Sequence, residues 1–133
     1  MAYLVDNCIS ILFVSETWLT DLNNCITATI KSYGFDILHQ PRKDVRGGGV
    51  GIIFHRSFTL TRLFVKHGSM FEAICAKFRD GNGDNVLCSC VYRPENSKDL
   101  FFTEFDEFIG SIFIKFHKII ICGDFNIHLD LPN

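Results

Sequence analysis

The sequence predicts an α/β fold, and three observations carry that expectation. Apolar runs of five to eight residues recur between breaks containing Gly, Asp, Asn or Pro, which is the spacing of strands. Residues 97–115 differ: Phe101, Phe105, Phe108 and Ile112 recur at i, i+4, i+7 and i+11, a helical stripe suited to lie on a sheet. Chemistry-bearing residues stand at the ends of apolar runs rather than inside them, where open α/β sheets keep their sites.

Taken in order, residues 1–7 are too short for an independent element and read as the last turn of a helix. Residues 9–14 form an apolar strand that ends in Ser15-Glu16-Thr17-Trp18. Residues 21–33 read as a short helix stopped by Gly34, and residues 35–39 as a short strand. The polar, Gly-rich segment 42–49 leads into a strand at 50–55. Gly47-Gly48-Gly49-Val50-Gly51 lacks the Gly-Lys-Ser/Thr ending of a phosphate loop and reads as a glycine turn entering that strand. Residues 59–65 and 71–78 are two further strands, and Asp80-Gly81-Asn82-Gly83-Asp84 is a hairpin signal before a strand at 86–92. Pro94 stops that strand and leaves Tyr92 and Arg93 at its end. Ser97 caps the helix, Asp99 lies in its first turn, and Phe102, Phe113 and Ile114 widen its stripe. Residues 118–122 form a last buried strand, followed at once by Gly123-Asp124-Phe125-Asn126.

Composition bounds the function. At 133 residues the chain is one domain, and 47% hydrophobic against 21% charged residues exclude disorder and coiled coil. Its 14 Phe against one Trp and three Tyr point to packing. A net charge of -2 with dispersed Lys and Arg argues against tight, sequence-independent DNA binding by this chain alone. Cys8, Cys25, Cys75, Cys88, Cys90 and Cys122 show no zinc spacing and are expected as buried free thiols. With no signal peptide or membrane-length apolar run, an intracellular chain, nuclear or cytoplasmic and without a membrane partner, is expected.

Three strand ends thus carry polar chemistry: Glu16, the Tyr92-Arg93 pair, and Asp124 with Asn126. An isolated Gly-Asp-x-Asn reads as turn chemistry, yet an Asp and an Asn two residues apart also offer a metal- or water-holding carboxylate beside an amide donor. Three such ends on separate strands favour a site.

Ser15-Glu16-Thr17-Trp18-Leu19, Gly47-Gly48-Gly49-Val50-Gly51-Ile52, Val91-Tyr92-Arg93-Pro94 and Gly123-Asp124-Phe125-Asn126, in this order, resemble the endonuclease/exonuclease/phosphatase family. Within it they are most similar to the apurinic-type endonuclease domain of non-LTR (LINE, jockey-like) retrotransposon reverse-transcriptase polyproteins. The resemblance covers nearly the whole chain and implies a partial two-sheet α/β sandwich of the DNase I-like type, residues 1–133 being part of one such domain. It further implies a Mg²⁺- or Mn²⁺-dependent phosphodiesterase that nicks DNA. By motif, Glu16 is the implied metal ligand, Asp124 orients or deprotonates the attacking water, and Asn126 and Tyr92 contact the scissile phosphate. Arg93, a guanidinium beside Tyr92, suits backbone recognition on grounds of charge.

The family's first-strand Asn and its late Asp-His pair have no counterpart here, so an impaired fragment is expected, one that nicks DNA only when extended. His128 does not match the late His and reads as a loop residue. A sandwich short of its second half is expected to leave a Phe-rich face uncovered, prone to self-association. The alternatives are a non-catalytic remnant that binds a protein partner, or another phosphodiesterase of the superfamily, acting on inositol phosphates, sphingomyelin or poly(A).

Overall fold

Side-chain alternation along the strands sets the layers of this computed structural model, which describes residues 1–20, 24–40, 48–67, 70–79, 82–95 and 100–127. Helix α1 (Ala2–Asp6) precedes β1 (Ile11–Ser15), α2 (Asn24–Ser32), β2 (Phe35–Gln40) and β3 (Val50–His55). There follow β4 (Leu60–His67), β5 (Glu72–Arg79), β6 (Asn85–Tyr92), α3 (Leu100–Phe113) and β7 (Lys118–Asp124). The strands form a three-stranded antiparallel sheet, β1-β3-β2, and a four-stranded sheet, β4-β5-β6-β7, whose last pair is parallel.

One residue in two of each strand points into the space between the sheets. Val50 and Ile52 of β3 meet Ile74, Ala76 and Phe78 of β5 and Cys88, Cys90 and Tyr92 of β6 there. The opposite face of β5 and β6 carries Ala73, Cys75, Leu87 and Val91, which α3 covers with Phe101, Phe108 and Ile112. Leu4 of α1 and Ile30 of α2 cover Phe35 and Ile53 on the far face of the first sheet. The result is a four-layer α/β/β/α stack in which the central strands β3, β5 and β6 are buried on both faces. The parallel β6–β7 pair follows from α3, because parallel neighbours need a crossover long enough to return the chain.

Several details depart from the sequence expectation. Strand β1 starts at Ile11 rather than residue 9, because the Ile9 amide is held by the Leu4 carbonyl at the end of α1, at 2.8 Å. Strand β7 runs two residues past 122, so Asp124 is its last residue rather than the first of a turn. Phe102, Phe113 and Ile114 do not widen the buried stripe but stand in solvent. At roughly 100° per residue they lie too far round the helix from Phe101, Phe108 and Ile112 to reach the sheet. Of the six thiols expected to be buried, Cys8 in the turn after α1 and Cys25 on the outer helix α2 are exposed and Cys122 on the edge strand β7 is half-buried, whereas Cys75, Cys88 and Cys90 are buried in inner strands. Part of the Phe-rich surface is covered internally, Phe71 of the β4–β5 connection packing edge-on against Phe101, Phe105 and Phe108, while Leu100, Phe102, Phe113 and Ile120 remain exposed.

Gly34 ends α2 at φ +83°, the left-handed stop expected of it. The β5–β6 hairpin is present, with Arg79 opposite Asn85 and Gly83 at φ +86°. Asp80, Gly81, the segment from Arg42 to Gly47, the Ser97 cap with Asp99, and His128 lie outside the described residues. Among the described residues no helix is long and apolar enough to cross a membrane.

Candidate functional site

Regular pairing of β1 with β3 ends at Ser15 opposite Val50. The chains nevertheless stay joined, the Thr17 amide donating to the Gly49 carbonyl at 3.2 Å and the Trp18 amide to the Gly48 carbonyl at 3.1 Å. Glu16 is left as an extra residue, as in a β-bulge, with φ +50°. A left-handed residue redirects its side chain, and here it points Glu16 across to the second sheet, where the Tyr92 hydroxyl donates to Glu16 Oε1 at 2.5 Å. Tyr92 ends β6, 76 residues along the chain. Directly inward, the Cys90 thiol donates to the Val14 carbonyl at 3.3 Å and helps hold β6 beneath β1.

The third strand end is drawn in by the parallel register. Asp124 stands beside Tyr92 and Gly123 beside Val91. That approach demands glycine: a Cβ on Gly123 would sit 2.7 Å from the Val91 carbonyl carbon, nearer still to its oxygen, and φ is +151°. Beyond β7 the backbone locks onto Arg93. The Arg93 amide donates to the Asp124 carbonyl at 2.8 Å, and Asn126 Nδ2 donates to the Arg93 carbonyl at 2.6 Å. The Asn126 amide in turn donates to Asp124 Oδ1 at 3.0 Å, an Asx-type turn that fixes the carboxylate rotamer.

Glu16, Tyr92, Asp124 and Asn126 thereby line one cleft of about 470 Å³, together with Pro94 and Glu95. Arg93 does not join them with its charge. Its guanidinium carbon lies 4.6 Å from the centre of the Phe101 ring and Nη1 donates to the Phe125 carbonyl at 3.4 Å, so the cation faces α3. The cleft then carries three carboxylates, Glu16, Glu95 and Asp124, and its donors are all oxygens apart from the Asn126 amide. Such a donor set suits a hard, hydrated divalent cation held by few protein ligands. It does not form a protein cage: among the described residues no three His, Cys, Asp or Glu side chains converge on one point.

Sequence reasoning passed over two carboxylates here. Glu95 lies on the Tyr92 loop, and Glu72, the sole carboxylate in the apolar run 71–78, is buried at the head of β5. A lone acid opening an otherwise apolar strand was the available signal. A second cavity, of about 440 Å³ between Lys77, Asp84, Lys115 and Lys118, lies at the opposite end of the second sheet.

No protein-family model and no curated protein matches this sequence. Solved structures do. Over 97% of its length the chain superposes on ANGEL2, a 2',3'-cyclic phosphatase, with a TM-score of 0.75 and 17% identity. It superposes on TDP2 from Caenorhabditis elegans over 96%, with a TM-score of 0.70 and 16% identity. Both have the DNase I-like fold. This chain has the DNase I-like fold. It spans 42% of the ANGEL2 chain and 41% of the TDP2 chain, about two fifths of each.

Proposed function

We propose that this chain belongs to a divalent-metal-dependent phosphodiesterase that nicks DNA, as the endonuclease of a non-LTR retrotransposon does. The observation that carries the reading is the delivery of Glu16, Tyr92, Asp124 and Asn126 into one acidic cleft by three separate strands. An acidic cleft repels a phosphodiester unless a cation intervenes, and a bound Mg²⁺ or Mn²⁺ would neutralise that charge and polarise the phosphoryl group. Glu16 is the ligand in this reading. Its Oε1 holds the Tyr92 hydroxyl, which leaves Oε2 for the cation.

Asp124 serves as the base or orienter of the attacking water. Its Oδ1 is occupied by the Asn126 amide, so Oδ2 takes the water proton. Asn126 has one side-chain N–H committed to the Arg93 carbonyl and offers the other to a phosphoryl oxygen. Tyr92 positions Glu16 through its hydroxyl and, in this reading, contacts the same phosphate. Arg93 enters through its backbone, which ties β6 to the Asp124–Asn126 turn. Its guanidinium would have to leave Phe101 to contact DNA.

The resemblance of Ser15–Leu19, Val91–Pro94 and Gly123–Asn126 to the retrotransposon endonucleases supports DNA as substrate, since the solved neighbours carry the fold alone. Nicking of supercoiled plasmid tests the proposal, in a polypeptide extended to the span of those neighbours. Mg²⁺-dependent nicking should fall about a thousandfold in Asp124→Ala, as expected on loss of a group acting on the nucleophile. Equal nicking by the two proteins would refute it.

A further inference from the structure

We infer that Glu72 is a positioning residue for Glu16; the inference deepens the proposed function by naming what aims the metal ligand. Glu72 is 6% exposed, and with Ser89 it makes up the buried polar side chains among the described residues. A carboxylate is kept in such a place only where hydrogen bonds compensate its lost hydration. One of them is identified: Glu72 Oε2 accepts the Gly49 amide at 3.1 Å, from 23 residues away.

Gly49 is the residue on which the Glu16 bulge hangs. Its amide goes to Glu72 and its carbonyl to the Thr17 amide, while its neighbour Gly48 takes the Trp18 amide. Gly49 sits at φ +90°, and a Cβ there would lie 2.7 Å from Thr17 Oγ1, so this strand of contacts tolerates no side chain. Glu72 is also the register partner of Tyr92, and paired residues of an antiparallel ladder project on the same face. One buried carboxylate thus bonds the glycine that carries the Glu16 bulge and stands beside the tyrosine whose hydroxyl meets the Glu16 carboxylate. On the backbone side the path is Glu72, Gly49 and Thr17; on the side-chain side it is Glu72 beside Tyr92, whose hydroxyl meets Glu16.

Glu16 and Trp18, at φ +50° and +51°, occupy left-handed conformations that non-glycine residues leave unless clamped. Release of Gly49 would let Glu16 relax toward extended backbone and turn its carboxylate out of the cleft. A carboxylate with a merely structural role would lower stability without moving the 16–18 segment. The two differ in what they do to backbone amides.

Amide exchange by NMR, with Mn²⁺ affinity from water-proton relaxation, separates them in Glu72→Ala and Glu72→Gln. In Glu72→Ala the Thr17 and Trp18 amides should exchange about tenfold faster and the Mn²⁺ dissociation constant should rise about tenfold, the change made by one ordinary hydrogen bond. Glu72→Gln keeps an acceptor for Gly49 and should restore both to within about twofold. Should the alanine variant unfold, Glu72→Leu keeps the volume without the acceptor and is read in the same way. Unchanged Thr17 and Trp18 exchange in the variant lacking the acceptor overturns the inference, as does glutamine behaving like alanine. If the native chain binds no Mn²⁺, the metal reading of Glu16 fails, while the amide pattern still decides the role of Glu72.

Discussion

Replacing Gly123 by alanine tests how the third strand end reaches the cleft. The new Cβ would lie 2.7 Å from the Val91 carbonyl carbon and 2.8 Å from its amide nitrogen, and backbone cannot yield as a flexible side chain does. Because β7 is an edge strand, the cheapest response is to peel its last residues away from β6. That gives up the Val91–Gly123 and Tyr92–Asp124 pairings and the bond from the Arg93 amide to the Asp124 carbonyl. Some three backbone hydrogen bonds at about 1 kcal/mol each set a loss of about 3 kcal/mol. Overpacking without peeling costs about 1–3 kcal/mol, so the two routes agree. For a domain of this size that is a fall in Tm of about 10 °C. Gly110, exposed in α3 with nothing within 4 Å of where a Cβ would stand, supplies the control. Gly110→Ala should stabilise by about 0.5–1 kcal/mol through helix propensity. Urea unfolding followed by circular dichroism measures both. A cost below about 0.5 kcal/mol for Gly123→Ala would show that Asp124 is not held by this close approach.

Glu16→Ala should abolish the weak, millimolar-range Mn²⁺ binding expected of a site with few protein ligands, read by water-proton relaxation, and unchanged binding would remove Glu16 as the ligand. Burial pushes the Cys75, Cys88 and Cys90 thiols up to about 11, so at pH 8 a disulfide reagent should modify Cys8 and Cys25 quickly and spare these three. Because folding raises those values, the stabilisation is complete below the ordinary thiol value of 9.0 and is lost as pH rises from there through about 11. Urea midpoints that stay level over that interval would contradict it. Phe101→Ala should cost about 3–5 kcal/mol while Phe102→Ser changes stability by less than about 0.5 kcal/mol, since only the first ring is buried; similar losses would mean the helix is rotated.

The local language of the chain was legible without a structure. Alternating apolar runs, Gly and Pro breaks and the Phe101–Phe105–Phe108–Ile112 stripe are short-range signals, and the strands and α3 follow them within a few residues. The strand-end positions of Glu16, Tyr92 and Asp124 were legible for the same reason. Periodicity states which side of a strand a residue occupies, but not what stands opposite. The Glu16–Tyr92 contact spans 76 residues and exists because two sheets stack, and Glu72 gains its role only where Gly49 of the other sheet meets it. The direction of Arg93 was likewise decided by tertiary structure: charge alone sent it to the phosphate, whereas the nearby Phe101 ring and Phe125 carbonyl draw its guanidinium toward α3. Burial divided the six cysteines in the same way, through which segments the second sheet and α3 happened to cover. Sequence wrote the elements and their end chemistry; packing between layers chose which ends share a cleft, because those contacts depend on residues too distant in the chain for any local pattern to record.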